Sequence, residues 1–166
     1  MAEEPYTHPF LSTPRALSAA AREFSRLGDC LADGVASEFG EVSDRQRGLR
    51  RSPDRCIIQV GRSAVTIAWI RNRRDSGEGE LLIIHWRGTV APTINQQFER
   101  ARELTLSATP LSESVFLAEA TCEADWMWRS REEPLHRYSS SLLATRVIER
   151  LRLDHDAAEA PSTPTH

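Results

Sequence analysis

Three polar side chains on two neighbouring predicted strands have the chemistry of an anion site. Thr66 lies in one strand, and His85 and Arg87 lie in the next. In the register predicted below, Thr66 faces His85, and Arg87 follows two positions further along the same face. Arginine offers a two-pronged, permanently charged donor, and histidine offers a donor that depends on pH. The three residues are a candidate site for a small acidic ligand, although a histidine bonded to a neighbouring threonine at a sheet rim is commoner.

A catalytic cysteine–histidine pair fails on geometry. Cys56 shares the face of His85, but it lies two strands and two residues away, which is roughly 12 Å. A nucleophile and its base need a separation of about 3 Å. We therefore predict no catalytic residue.

Lysine chemistry is excluded because all 21 basic residues are arginine. The chain cannot form a Schiff base and has neither a P-loop lysine nor a kinase lysine, which excludes pyridoxal-phosphate enzymes, Walker-type nucleotidases and protein kinases. The three cysteines and five histidines show no ligand spacing. We predict no metal and no cofactor.

Two aromatic residues flank a methionine at Trp126, Met127 and Trp128. Such a group is a candidate interface patch, because tryptophan and methionine are enriched where proteins bind one another. Alternating strand residues of this type are more often part of a core that packs against a helix.

A second candidate for binding an anion or an acidic partner is rich in arginine. Residues 44–62 contain six arginines and two aspartates, in a chain whose formal charge is −3. We read residues 41–55 as an exposed connection that carries Arg45, Arg47, Arg50 and Arg51. Nucleic acid is not expected as a partner, because this loop has no aromatic residue on which a base could stack.

The elements that hold these residues follow from the apolar spacing. Thr13-Pro14 predicts the start of a long helix that extends to Phe39, and glycines at 28 and 34 could divide it. Hairpin signals predict strands over 56–60, 64–71, 80–87 and 103–108, with a loop over 88–99. A long alternating strand follows over 115–129 with a bulge near 119–121, and a helix over 113–124 is the alternative.

The register of the central hairpin follows from its turn. A turn centred between Asp75 and Ser76 places Trp69 opposite Leu82. One buried face would then contain Val65, Ile67, Trp69, Leu82, Ile84 and Trp86. The other face would be partly covered or would line a shallow cavity.

Together these patterns predict an α+β fold. A curved antiparallel meander of about five or six strands is packed by the long N-terminal helix and by a C-terminal helix that starts at Ser139–Ser141. The domain spans residues 13–153, between a flexible lead over 1–12 and a disordered tail over 154–166.

The missing catalytic machinery makes a non-enzymatic interaction or regulatory protein the leading hypothesis, acting through self-association or a protein partner. The alternative is a small-ligand-binding or enzymatic domain that uses the pocket with Thr66, His85 and Arg87. The odd number of cysteines, the acidic N-terminus and the lack of a membrane-length apolar run favour a soluble cytoplasmic protein with no membrane partner. The absence of lysine is typical of a GC-rich, bacterial genome.

Overall fold

The computed structural model describes residues 14–71, 79–90, 108–122 and 125–161. Within these ranges the chain forms two helices and seven strands. Their bounds are α1 Pro14–Glu38, β1 Arg47–Ser52, β2 Arg55–Val60, β3 Ser63–Arg71, β4 Gly79–Arg87, β5 Thr109–Cys122, β6 Asp125–Ser130, β7 Arg137–Tyr138 and α2 Ser140–Glu159. Outside the described residues lie the predicted lead 1–12, most of the loop 88–99, and all but the last residue of the predicted strand 103–108.

The strands form one open antiparallel sheet in the order β1-β2-β3-β4-β5-β6-β7. This is the predicted α+β meander between two helices, with two short strands added at its edges. β1 occupies six residues of the arginine-rich segment that was read as a loop, and β7 has only two residues. β5 is a strand throughout, so the helix considered for 113–124 does not form in the described part of that segment. The predicted single long strand over 115–129 is wrong, because these residues belong to two antiparallel strands: β5 ends at Cys122 and β6 begins at Asp125. The β5–β6 register shifts between Ala120 and Cys122, close to the bulge predicted near 119–121.

The predicted register of the central hairpin is wrong by one residue. Trp69 pairs with Leu81, not with Leu82. Gly79 explains the choice, because a Cβ atom at that position would lie 2.6 Å from Cη2 of Trp69. Only glycine leaves room for the indole beside the start of β4, and this fixes the pairing of the two strands.

The shift moves three predicted core residues to the other face of the sheet. Val65, Ile67 and Trp69 are buried against the helices, as expected. Their neighbours on the helix side of β4 have odd numbers: Leu81, Ile83 and His85. The predicted core positions Leu82, Ile84 and Trp86 instead point away from the helices and are only partly buried.

Both helices pack on one face of the sheet. The buried stripe of α1 contains Ala20, Phe24, Leu27, Leu31 and Val35, and that of α2 contains Leu143, Ala144, Val147, Ile148 and Leu151. These stripes cover the core side chains of β2 to β6. Neither described helix has the length and apolar character that a membrane span requires.

The two glycines of α1 are packing positions and do not break the helix. A Cβ atom at Gly28 would lie 2.6 Å from Nη2 of Arg51, and one at Gly34 would lie 2.9 Å from Cγ1 of Ile148. Gly28 therefore admits a side chain from β1, and Gly34 lets α2 approach closely. The helix is continuous from Pro14 to Glu38.

The C-terminal helix is longer than predicted. The Ser139 hydroxyl caps its start by accepting a hydrogen bond from the Leu142 N–H, but the helix continues to Glu159. The disordered tail predicted from residue 154 is therefore wrong for residues 154–159. Polar residues hold this part in place: Asp154 is buried, and the His155 ring packs edge-on against Phe39 at 5.9 Å.

The contacts of Trp69 make it a sensitive probe of this fold. Its ring packs edge-on against Trp128 at 5.4 Å and lies 6.5 Å from the Phe24 ring. We expect Trp69→Ala to lower the free energy of unfolding by about 3–5 kcal/mol in urea melts. Ile70→Ala is the matched control, because the neighbouring Ile70 side chain is 47% exposed. A loss below about 1 kcal/mol for Trp69→Ala would contradict this packing.

Candidate functional site

The three predicted ligand-binding residues do not share one face. Thr66 pairs with Ile84 on the side away from the helices, where its Oγ1 accepts a hydrogen bond of 2.9 Å from Nε1 of Trp86. His85 pairs with Val65 on the helix side and is 6% exposed. Arg87 lies on the side of His85. Thr66 therefore cannot join the other two, because the register error reversed its side relative to β4.

α2 supplies a carboxylate beside His85 and Arg87. Oδ2 of Asp154 lies 3.5 Å from Nδ1 of His85, and Nη2 of Arg87 is 3.5 Å from the Asp154 main-chain oxygen. The second carboxylate oxygen accepts a hydrogen bond of 3.0 Å from Nε of Arg150. The position in which we expected an acidic ligand is thus next to an acidic residue of the chain itself.

His85 is neutral at physiological pH. Burial lowers its pKa to about 4; Asp154 acts in the opposite direction, and Arg150 acts in the same direction as burial. The separation of 3.5 Å from Asp154 is at the outer limit for a hydrogen bond, and Nδ1 forms none with the described residues. We therefore treat this contact as a buried polar contact and not as an ion pair.

Ser63, His85 and Asp154 are the residue types of a catalytic triad, but their arrangement does not support that chemistry. Their exposed fractions are 0%, 6% and 7%. Ser63 Oγ forms no hydrogen bond with any described residue, so His85 does not activate it. His85 and Asp154 form a structural contact between β4 and α2.

Cys56 is also unsuited to nucleophilic chemistry. It is 2% exposed, and burial raises the pKa of its thiol to about 11. The thiol is protonated at neutral pH, whereas the reactive form of cysteine is the thiolate. It pairs with Ile67, so the two-strand separation from His85 is as predicted.

The aromatic patch divides between the two faces. Trp126 and Trp128 are buried, and Nε1 of Trp128 donates a hydrogen bond of 2.9 Å to Ser140 Oγ at the start of α2. Both tryptophans are therefore core residues that pack against a helix, which was the alternative to an interface patch. Met127 lies on the opposite face, paired with Glu119, and is partly buried.

The four arginines of the predicted loop are distributed around the edge strand β1. Arg47 donates to Asp44 and to the Phe39 carbonyl, on the helix side of the strand. Arg51 donates to Asp29 and to the Ser25 carbonyl of α1. Arg50 lies on the other side of β1, and Arg45 is exposed in the turn before it.

The face of the sheet opposite the helices, which we call the open sheet face, has no covering element among the described residues. No helix or strand of the described residues packs on it. Its side chains are mostly apolar and partly exposed: Ile57, Thr66, Ala68, Ile70, Leu82, Ile84, Trp86, Val115, Leu117 and Met127. Sequence reasoning predicted that the second face would be incompletely covered, but it assigned the wrong β4 residues to it.

Two acidic residues of the open sheet face are paired with arginines. Glu119 accepts a hydrogen bond of 2.7 Å from Nε of Arg137 and lies 3.7 Å from Nε of Arg129. Glu80 forms an ion pair with Arg131. These polar pairs adjoin the apolar side chains of Leu82, Ile84 and Val115, and one further charged residue, Glu113, is exposed opposite Ile84. An apolar surface with a polar margin is the usual composition of a protein interface.

A groove with a volume of about 850 Å³ lies between α1 and α2. Its walls include Cys30, Gly34, Ala144 and Ile148, and Leu153 lies at its rim with 66% exposure.

The described residues contain no group of three histidine, cysteine or acidic side chains that could hold a metal. No protein-family model, curated protein or solved structure matches the chain.

The neutral state of His85 predicts how stability depends on pH. The unfolded chain binds a proton at His85 near pH 6.5, whereas the folded chain does so only near pH 4. The free energy of unfolding should therefore decrease as the pH falls between these values, by at most about 3 kcal/mol from this residue.

Urea melts of His85→Gln at pH 7 and near pH 4.5 should show a smaller decrease than the unmodified protein. His136→Gln is the control, because the His136 side chain is 57% exposed and should leave the decrease unchanged. An equal decrease in His85→Gln and the unmodified protein would show that His85 is not held neutral.

Proposed function

We propose that this protein is a non-enzymatic interaction protein that self-associates through the open sheet face. The proposal rests on one observation. The sheet is apolar on both faces, but both helices pack on the same face. A sheet with two apolar faces is expected to be covered on both sides. A second copy of the chain offers a matching apolar surface.

The size of the open sheet face supports a second copy as the occupant. Five strands about 4.8 Å apart and about seven residues long give a flat footprint of roughly 500 Å². The accessible area of side chains exceeds their flat projection, so two copies would bury more than about 1,000 Å² in total. That value is near the lower bound for a specific protein interface.

The distribution of charge also favours face-to-face pairing. Burying an unpaired charge is costly. Leu82, Ile84 and Val115 are apolar, and the charged side chain beside them, Glu113, is exposed opposite Ile84, where an arginine of the second copy can pair with it. Glu119 already has Arg129 and Arg137 as partners at the margin. Two sheets can pack about 10 Å apart through such centres, as the layers of a β-sandwich do.

The alternative of a small-ligand pocket has lost its geometric basis. It required Thr66, His85 and Arg87 to point into one space, and the register separates Thr66 from the other two. His85 is buried beneath α2 beside Asp154. Self-association is therefore the function that the surfaces of this chain support best.

The oligomeric state tests the proposal. In sedimentation experiments over a wide concentration range, the unmodified protein should form dimers. Ile70→Arg should raise the dissociation constant more than tenfold, because a charge in an apolar interface costs about 2 kcal/mol or more. The Ile70 side chain is 47% exposed, so the substitution should leave the fold intact by circular dichroism.

The matched control is Leu153→Arg in α2, where the residue is 66% exposed and belongs to the helix layer on the opposite side of the sheet from the open sheet face. It adds the same charge and should leave the dimer unchanged. A monomer at all concentrations, or dimers that Ile70→Arg does not weaken, would refute the proposal.

A further inference from the structure

The edge strand β1 has main-chain groups that point out of the sheet. Hydrogen bonding between β1 and β2 can be followed from the Gly61 N–H, which donates to the Gln46 carbonyl at 2.7 Å. In an antiparallel pair, bonded and non-bonded residues alternate. Gly48, Arg50 and Ser52 therefore bond with β2, and the N–H and C=O groups of Arg47, Leu49 and Arg51 point away from it.

Two further hydrogen bonds support this alternation. The Trp69 N–H donates to the Asp54 carbonyl at 2.8 Å, and the Gly88 N–H donates to the Arg62 carbonyl at 2.7 Å. Each lies in the register of the neighbouring strand pairs, β2–β3 and β3–β4. The bonded and non-bonded residues alternate along each strand from β4 to β1. This alternation again gives Arg47, Leu49 and Arg51 as the residues of β1 whose main-chain groups point outward.

The β1 edge is a regular surface for another strand. Its pairing with β2 runs over six consecutive residues without a bulge, and the nearest proline, Pro53, follows the strand. Bulges, prolines and charged side chains are the usual devices that block an edge, and of these β1 has only charged side chains, all of them positive. Within the described residues, no main-chain partner lies against the outward groups of β1, and the opposite edge β7 offers only two residues.

Charge determines which strand would fit this edge. Residues 44–62 contain six arginines and two aspartates. Salt bridges to Asp44 and Asp29 hold Arg47 and Arg51 along the helix side of the edge, and Arg45 and Arg55 are exposed near its ends. Pairing of β1 with β1 of a second copy would place arginines opposite arginines, which is unfavourable. An acidic strand would be attracted.

Among the described residues, there is also room beside Gly48 on the side of the open sheet face. A Cβ atom at Gly48 would meet nothing within 4 Å. The side chains of an added strand would alternate between this space and the helix side.

We infer that β1 binds an extended acidic segment of another protein by strand addition. The outward N–H and C=O groups of Arg47, Leu49 and Arg51 supply the main-chain hydrogen bonds, and the surrounding arginines select acidic side chains. This inference is independent of the self-association proposed above, because it uses the edge of the sheet and not its open face.

A synthetic peptide tests the inference. The probe is a six-residue peptide of alternating glutamate and valine, capped at both ends and matched in length to β1. We expect saturable binding by fluorescence anisotropy. In amide hydrogen exchange, the bound peptide should protect the N–H groups of Arg47, Leu49 and Arg51 and leave those of Gly48 and Arg50 unchanged.

Paired variants separate charge from hydrogen bonding. The double variant Arg45→Glu, Arg55→Glu should weaken peptide binding at least tenfold, while Arg22→Glu, at an exposed position of α1, should not. Leu49→Pro removes one outward N–H without removing a bond to β2, and it should also weaken binding. If Leu49→Pro does not fold, the charge variants and the exchange pattern remain decisive.

Control probes identify the other possible occupants. A lysine–valine peptide and a glutamate–proline peptide should bind at least tenfold more weakly than the probe. Equal binding of single-stranded DNA, protection without the alternation, or no binding of the probe would overturn the inference. Ile70→Arg should leave peptide binding unchanged, and the single variant Arg45→Glu, in the turn before β1, should weaken peptide binding and leave the dimer unchanged, so failure of either proposal is recognised separately.

Discussion

The contact between the Trp69 indole and Gly79 determines which side of β4 faces the helices. Trp69 needs the space that a side chain at position 79 would fill, and this fixes the pairing of β3 with β4. A shift by one residue would exchange the two faces of β4. His85 would then be next to Thr66, and Trp86 would be in the core. The side of the sheet on which His85 and Arg87 lie therefore depends on this one steric constraint.

The contact of α2 with the end of the sheet gives His85 and Arg87 a structural role. Asp154 lies where a bound anion was expected, and the helix that carries it continues to Glu159. Burial of polar groups is unfavourable unless they find partners. The Asp154 carboxylate has Arg150 as a partner, whereas burial keeps His85 uncharged. Residues 154–159, whose polar composition predicted a disordered tail, are thus part of a helix that packs against the sheet through polar contacts.

The sequence predicted β2, β3 and β4 well, but it missed β1, joined β5 and β6 into one strand and assigned β4 to the wrong faces. β2, β3 and β4 begin within one residue of the predicted positions, because glycine and polar turns separate apolar runs. Apolar residues at four consecutive positions, 81–84, leave the register of β4 undetermined by alternation. β1 was missed because Leu49 is its only apolar residue. The sequence did predict a sheet face that is incompletely covered. Which β4 residues belong to this open sheet face depends on the contact between Trp69 and Gly79, and no local sequence pattern reveals that contact.

The open face and the β1 edge are suited to different partners. Apolar burial is non-directional and scales with area, so it favours a broad matching surface such as a second copy. Main-chain hydrogen bonds at an edge are directional and require an extended segment, and the arginines around Leu49 make an acidic one favourable. A face partner stacks above the sheet, whereas an added strand extends its plane beyond β1. The two can therefore bind together, and a dimer formed through the face would present two edges for acidic segments.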